Sequence, residues 1–268
     1  MSKASSAKPP QRLLVEERRR LIVEKVNKQG RATVEELGHA FNTSTVTIRA
    51  DLEALARQGA LARAHGGALP VHAPVSNDTP LNIKETRRHA QKLRIGHAAA
   101  QLVRDGETII LDSGSTTAEI ARQLRQMKLE SLTVITNALN VALELSGLAH
   151  VRVMMLGGLL RQTSYSLVGP DAEHTLGKLS ADRLFLGVDG LDPAVGVTTP
   201  DPLEASLNAL MIRVSRQTVA VLDASKLGQR SLSVITPVNR LHRVITDTSA
   251  SAETVEALRA AGVEVQLV

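Results

Sequence analysis

The chain has 268 residues, 43% of them hydrophobic, enough for one small and one larger packed domain with disorder confined to the ends. Cysteine is absent, which excludes disulfides, thiolate nucleophiles and cysteine-bearing zinc sites. The net charge of +5 lies entirely in residues 1–75, which hold 12 Lys+Arg against 7 Asp+Glu, while the remainder holds 20 of each. That distribution fits an N-terminal module that contacts phosphates.

Phe41, Phe185 and Tyr165 are the whole aromatic complement, too few to stack single-stranded nucleic acid. The N-terminal segment lacks the apolar core of a signal peptide and no run is long enough for a membrane helix, so the expected localisation is cytoplasmic, with no membrane partner. The eight histidines include no His-Glu-x-x-His and no pair at i, i+4, so no metal is expected. No Gly-x-Ser-x-Gly elbow is present, which weakens a serine hydrolase reading. No cofactor is expected.

Residues 1–12 are rich in Ser, Lys and Pro and read as a disordered tail. Leu13–Gln29 reads as a helix with Leu14, Leu21, Ile22 and Val26 inward, ended by Gly30. Arg18, Arg19 and Arg20 on it are either contacts to a DNA backbone or an ordinary solvated face. Val34, Leu37 and Phe41 mark a shorter helix behind Thr33, with Glu36 completing a capping box. A turn at Asn42-Thr43 leads to a second helix capped by Ser44, with Val46, Ile48, Leu52 and Leu55 on its apolar side. Gly59 should stop it. Two short helices so joined, the second carrying Thr45, Thr47 and Arg49, read as a helix-turn-helix. A wing follows, with Arg63 and His65 ahead of Gly66-Gly67.

This block resembles the N-terminal module of the DeoR family of bacterial transcriptional regulators. The residues that carry the resemblance are Val34-Glu35-Glu36-Leu37, Phe41, Ser44, Thr47-Ile48-Arg49, Asp51-Leu52, Leu55, Gly59 and His65-Gly66-Gly67-Ala68. Thr43 and Ala50 depart from the family's usual Val and Arg. The resemblance implies a winged helix-turn-helix over residues 13–69 that binds double-stranded operator DNA through Ser44, Thr45, Thr47, Arg49, Arg57, Arg63 and His65.

Residues 70–80 hold three prolines and little apolar periodicity, and read as a linker. Glu85–Val103 reads as one helix, with Leu93, Ala98 and Leu102 inward. Strand-like runs then follow at Thr108–Leu111, Leu132–Thr136, Val151–Leu156, Leu184–Val188, Thr218–Leu222, Val244–Thr246 and Val263–Val268, with helical patterns between most of them. The alternation predicts an α/β domain on a largely parallel sheet, with its polar loops at the carboxyl ends of the strands. Asp112-Ser113-Gly114-Ser115-Thr116-Thr117 is such a loop. It offers free amides, hydroxyls and a helix N-terminus to a small phosphate.

The order of loops resembles the family's C-terminal sensor domain, similar in fold to sugar-phosphate isomerases. Residues 81–268 are thereby expected to sense a sugar phosphate and hold a dimer or tetramer together. The implied effector residues are Asp112, Ser113, Gly114, Ser115, Thr116, Thr117, Thr136, Asn137, Gly157, Gly158, Arg161, Asp189, Thr198, Glu204, Asp223 and Lys226. Val195–Thr199 and the Ser-rich loop look most like members that control amino-sugar catabolism, while Pro200-Asp201-Pro202 departs from the pattern. The expected function is repression of a sugar or amino-sugar catabolic operon, relieved by a phosphorylated sugar. The alternative is a sugar-phosphate isomerase with an appended DNA-binding module, in which Asp189, Glu204 and Lys226 transfer protons.

Overall fold

The computed structural model describes residues 14–29, 32–57, 60–64, 66–70 and 78–268. They fall into two compact units, Met1–Pro74 and Val75–Val268.

In the first unit α1 (Val15–Gln29), β1 (Ala32–Thr33), α2 (Val34–Ala40) and α3 (Thr45–Arg57) precede β2 (Leu61–Ala64) and β3 (Gly67–Pro70). Thr33 Oγ1 accepts from the Glu36 amide at 3.2 Å while the Glu36 carboxylate accepts from the Thr33 amide at 2.8 Å, so the capping box starts α2. Asn42 turns the chain at φ 47°. Ser44 Oγ accepts from the Thr47 amide at 3.1 Å and thereby opens α3. The strands form an antiparallel sheet in the order β1-β3-β2. Its close pairing depends on Gly67, where a Cβ would lie 2.3 Å from the Ala32 carbonyl oxygen. Ile22, Val26, Leu37, Ile48, Leu52, Leu55 and Leu61 make the core.

Two residues expected inward are not. Leu14 precedes α1 and is exposed, and Val46 is 71% exposed, because Ile48, Leu52 and Leu55 already fill the buried stripe of α3. Arg18 and Arg19 are not held out for a partner. Their Nε atoms donate to the two oxygens of buried Asp51 at 2.6 and 2.9 Å, clamping α1 onto α3. Gly30, Gly59, His65 and the side chain of Arg63 lie outside the described residues.

The second unit begins with α4 (Leu81–Thr86) and α5 (His89–Ala100). It continues through β4 (Thr108–Leu111), α6 (Ser115–Leu124), β5 (Leu132–Thr136), α7 (Leu139–Leu145) and β6 (Val151–Met155). Next come β7 (Leu159–Arg161), β8 (Ser166–Val168), α8 (Pro170–Leu176), β9 (Ala181–Gly187), β10 (Gly190–Asp192) and β11 (Gly196–Thr199). The chain closes with α9 (Pro202–Val214), β12 (Ser215–Val221), β13 (Ser233–Thr236), β14 (Arg243–Thr246), α10 (Ala252–Ala260) and β15 (Glu264–Leu267). Seven parallel strands form the main sheet in the order β15-β14-β12-β9-β4-β5-β6.

Alternate residues leave opposite faces of this sheet. Ile109, Leu111 and Phe185 pack with residues of α5, α6 and α7, whereas Ile110, Leu184 and Leu186 pack with residues of α8, α9 and α10. Both faces are therefore covered, as a parallel sheet requires. From β4 the chain winds outward to β5 and β6, then returns to β9 on β4's other side. The β4–β9 junction is thus the topological switch point, where ligand crevices open in such sheets.

The helix expected over Glu85–Val103 is broken at Arg87-Arg88, with Arg88 at φ 51°. Lys92, not Leu93, turns inward, because its ammonium donates to the exposed carbonyls of Lys84 and Arg87 at the break. Of the expected linker, residues 71–77 lie outside the described residues. Pro70 ends β3, and Asp78 accepts from Arg161 Nη2 and Thr163 Oγ1, each at 2.7 Å. The hairpin β7–β8 and the small sheet β10-β11-β13 have too few residues each for a readable alternation.

Replacing Asp51 with Ala should destabilise the first unit by about 3–5 kcal/mol, since removing the buried carboxylate breaks both ion pairs at once. Hydrogen exchange of the α1 amides measures it, and unchanged protection would refute the clamp.

Candidate functional site

A cavity of about 140 Å³ opens at the carboxyl ends of β4, β9 and β12. The loop 112–114 and the first turn of α6 form its floor, with Ser113, Ser115 and Thr116 on the wall. Gly114, at φ 133°, lets the loop turn into α6. Gly187 closes the junction from β9: its amide donates to Asp112 Oδ2 at 3.1 Å, and a Cβ there would lie 2.5 Å from the Ser113 carbonyl oxygen.

Cations converge on this helix N-terminus from three other elements. Lys84 comes from α4, Lys92 from α5 and Lys226 from the loop after β12, with Arg87 and Arg88 at the helix break. Carboxylates hold several of them in place. Lys84 Nζ donates to Asp189 Oδ1 at 2.7 Å, Lys226 Nζ lies 3.6 Å from the same oxygen, and Arg88 Nε lies 3.4 Å from Asp223. Burial works against ionised Asp189, but Lys84 and Lys226 outweigh it and hold its carboxyl below the ordinary value. Burial lowers Lys92, and Lys226 and Lys84 add to that while Asp223 opposes it.

A second set of acids sits deeper. Glu204 accepts from Ser113 Oγ at 3.1 Å and Thr199 Oγ1 at 2.7 Å, and Arg161 Nη1 pairs with it at 3.0 Å. Burial nevertheless raises its carboxyl, against the pull of Arg161. Asp112 is fully enclosed; burial pushes it well above the ordinary carboxylate range, and Glu204 pushes it further. Asn208 Nδ2 donates to Asp112 Oδ2 at 3.3 Å. Among the described residues no group of His, Asp or Glu is placed to hold a metal ion.

Of the expected effector residues, Asp112, Ser113, Gly114, Ser115, Thr116, Asp189, Glu204, Asp223 and Lys226 line this cavity. The others do not. Thr117 Oγ1 donates to the Gly114 carbonyl at 3.0 Å and stiffens the turn from behind. Thr136 accepts from the Ala138 amide at 3.1 Å, and Asn137 donates to the Leu167 carbonyl at 3.2 Å, so both are used in fastening β8 and α7. Gly158 is backbone spacing, since a Cβ would meet the Val168 carbonyl oxygen at 2.5 Å; Gly157 precedes it outside the cavity lining. Arg161 stands behind Glu204, joining it to Asp201 and Asp78. Thr198 faces Gly190 within the small sheet, and its neighbour Thr199 faces the cavity instead. Lys84, Lys92 and Asn208 were not legible as site residues, because each lies mid-helix in sequence and meets the loops only through tertiary packing.

In the first unit, the outward face of α3 carries Thr45, Val46, Arg49, Ala50, Glu53 and Arg57, all exposed. Ser44 and Thr47 serve the cap: their hydroxyls lie 2.9 Å apart in a hydrogen bond. Two of the expected DNA-binding hydroxyls are therefore already partnered within the protein.

The family model for the DeoR-like helix-turn-helix domain matches residues 18–73, and that for the DeoR C terminal sensor domain matches residues 87–248. A protein of Escherichia coli O157:H7, provisionally named an aga operon transcriptional repressor, is 40% identical over 94% of this chain and 93% of its own length. The HTH-type transcriptional regulator GlpR of Haloferax volcanii is 36% identical over 94% of this chain and 98% of its own. The solved structure of ribose 5-phosphate isomerase A from Methanocaldococcus jannaschii aligns with 52% of this chain and 54% of that one, at 20% identity and a TM-score of 0.38.

Asp112 binds its proton more tightly folded than unfolded, so its contribution to stability is present in acid and is lost as pH rises above the ordinary value of 3.8 towards the raised one. Asp112→Asn, which cannot ionise, should remove that loss. Melting temperature against pH should therefore fall less steeply for the variant above pH 3.8 than for the wild type. Parallel curves would show that Asp112 ionises normally.

Proposed function

Because the chain belongs to the DeoR family of transcriptional regulators, we propose that it represses a sugar or amino-sugar catabolic operon and that a phosphorylated sugar in the cavity relieves the repression. Residues 13–69 bind double-stranded operator DNA through α3 and the wing, residues 70–80 link the units, and residues 81–268 bind the effector and hold a dimer or tetramer together. The amino-sugar reading rests on the likeness of Val195–Thr199 and the Ser-rich loop to that subgroup.

One observation carries the effector half of this reading. The N-terminus of α6, with Ser113, Ser115 and Thr116, faces Lys84, Lys92 and Lys226 across a single small cavity. Amide and hydroxyl donors plus ammonium groups around one point suit a phosphate. Asp189, Glu204 and Asp223 are then acceptors for sugar hydroxyls. Arg161 ties the cavity to the start of the second unit, since it pairs with both Glu204 in the cavity and Asp78. The isomerase alternative is not carried forward. Its base would be Asp189, whose carboxyl Lys84 and Lys226 hold low, and relatives matching nearly the whole chain are named as regulators.

Lys226→Ala should leave operator binding intact and weaken the effector by about 1.5–3 kcal/mol, roughly one to two decades. Titration of a preformed protein–operator complex with phosphorylated sugars measures the midpoint. A wild-type midpoint for the variant would take Lys226 out of the site, and the absence of any responsive sugar phosphate would defeat the effector assignment.

The second expectation concerns assembly. One helix-turn-helix reads a short half-site, so useful affinity requires at least two modules. Sedimentation of the full chain at micromolar concentration should give a dimer or tetramer; a monomer would contradict this.

A further inference from the structure

The exposed face of α3 contains a residue that neither folding nor capping explains. Val46 is 71% exposed in the helix's first turn. Ser44 already caps the helix, and Ile48, Leu52 and Leu55 already supply its buried side. A β-branched residue there gains nothing in helix propensity over Ala. Ala50 lies one turn further on the same face, also exposed, so the two form a small apolar step beside Thr45 and Arg49. The unit that presents this step carries the whole of the chain's net positive charge, which is complementary to a polyanion and to no apolar protein surface. In the major groove the apolar feature of a base pair is the thymine C5-methyl group.

We propose that Val46 is a specificity-determining residue that packs on a thymine methyl in the major groove, with Ala50 completing the contact, beside the base or phosphate that Arg49 meets. This rests on the reading of α3 as the operator-binding helix. It reassigns the direct readout: Thr47, whose hydroxyl is tied to Ser44, gives way to Val46.

The test uses the full chain and an operator obtained by selection from random duplex DNA. Each thymine of the selected site is replaced singly by deoxyuridine, which removes the methyl and leaves every hydrogen-bonding group in place. Burial of one methyl is worth about 0.8 kcal/mol, so at one position per half-site the wild type should bind about fourfold more weakly. Val46→Ala should lose about that factor per half-site, roughly sixteenfold for two modules on thymine DNA, and be indifferent to the replacement at that one position. Its salt dependence should match the wild type's, because no phosphate contact is removed. The variant's far-ultraviolet circular dichroism and melting temperature check that it folds, and Val46→Ile, which keeps an apolar contact, should retain the sensitivity. If the methyl effect and the Val46→Ala effect add independently at every position, or if no thymine is sensitive, the inference is wrong while operator binding stands. If the wild type selects no sequence at all, the operator-binding reading fails and takes this inference with it.

Discussion

Strand β9 approaches the loop after β4 so closely that position 187 has no room for a side chain. The rest of the second unit's chemistry depends on this contact. With glycine there, the Gly187 amide reaches the Asp112 carboxyl and seals it from water. Sealed, Asp112 holds its proton more tightly, and the loop it anchors delivers Ser113, Ser115 and Thr116 to the crevice at the switch point. A side chain at 187 would push β9 off β4 and open that crevice into the core.

The cavity is lined by cations without being simply positive. Its ammonium groups are already engaged: Lys84 and Lys226 on Asp189, and Lys92 on backbone carbonyls. A buried charge left alone is far more costly than one with a partner, so these pairs let the cations persist in an enclosed site. They also aim them. The positions of the ammonium groups are fixed by these acids and by the α4–α5 break. The same arrangement disfavours proton abstraction, since a carboxylate held low by two lysines is a weak base.

Most of this fold was legible before the coordinates. Each of the seven strands of the main sheet lies at one of the seven apolar runs, because burial on both faces makes near-continuous apolar sequence. The capping box at Thr33 and Glu36 was legible as well, since capping is a local matter of a few residues. What escaped was set by distant partners. Lys92 looks like a surface residue by period and is buried, because the break at Arg88 exposes carbonyls that only an inward ammonium satisfies. Arg18 and Arg19 look like a solvated basic run, and the residue that claims them, Asp51, lies on another helix. Arg161 ends a strand, as a ligand-binding residue would, yet three carboxylates from elsewhere hold it behind the cavity wall.

Those same three carboxylates decide what a ligand can change. Asp78, Asp201 and Glu204 crowd one guanidinium that is 10% exposed, so a change at any one of them shifts the balance of the other two around Arg161. An effector that alters the environment of Glu204 therefore alters the electrostatic balance at Asp78 as well. Regulation requires only that the ligand bind one arrangement of this network better than another.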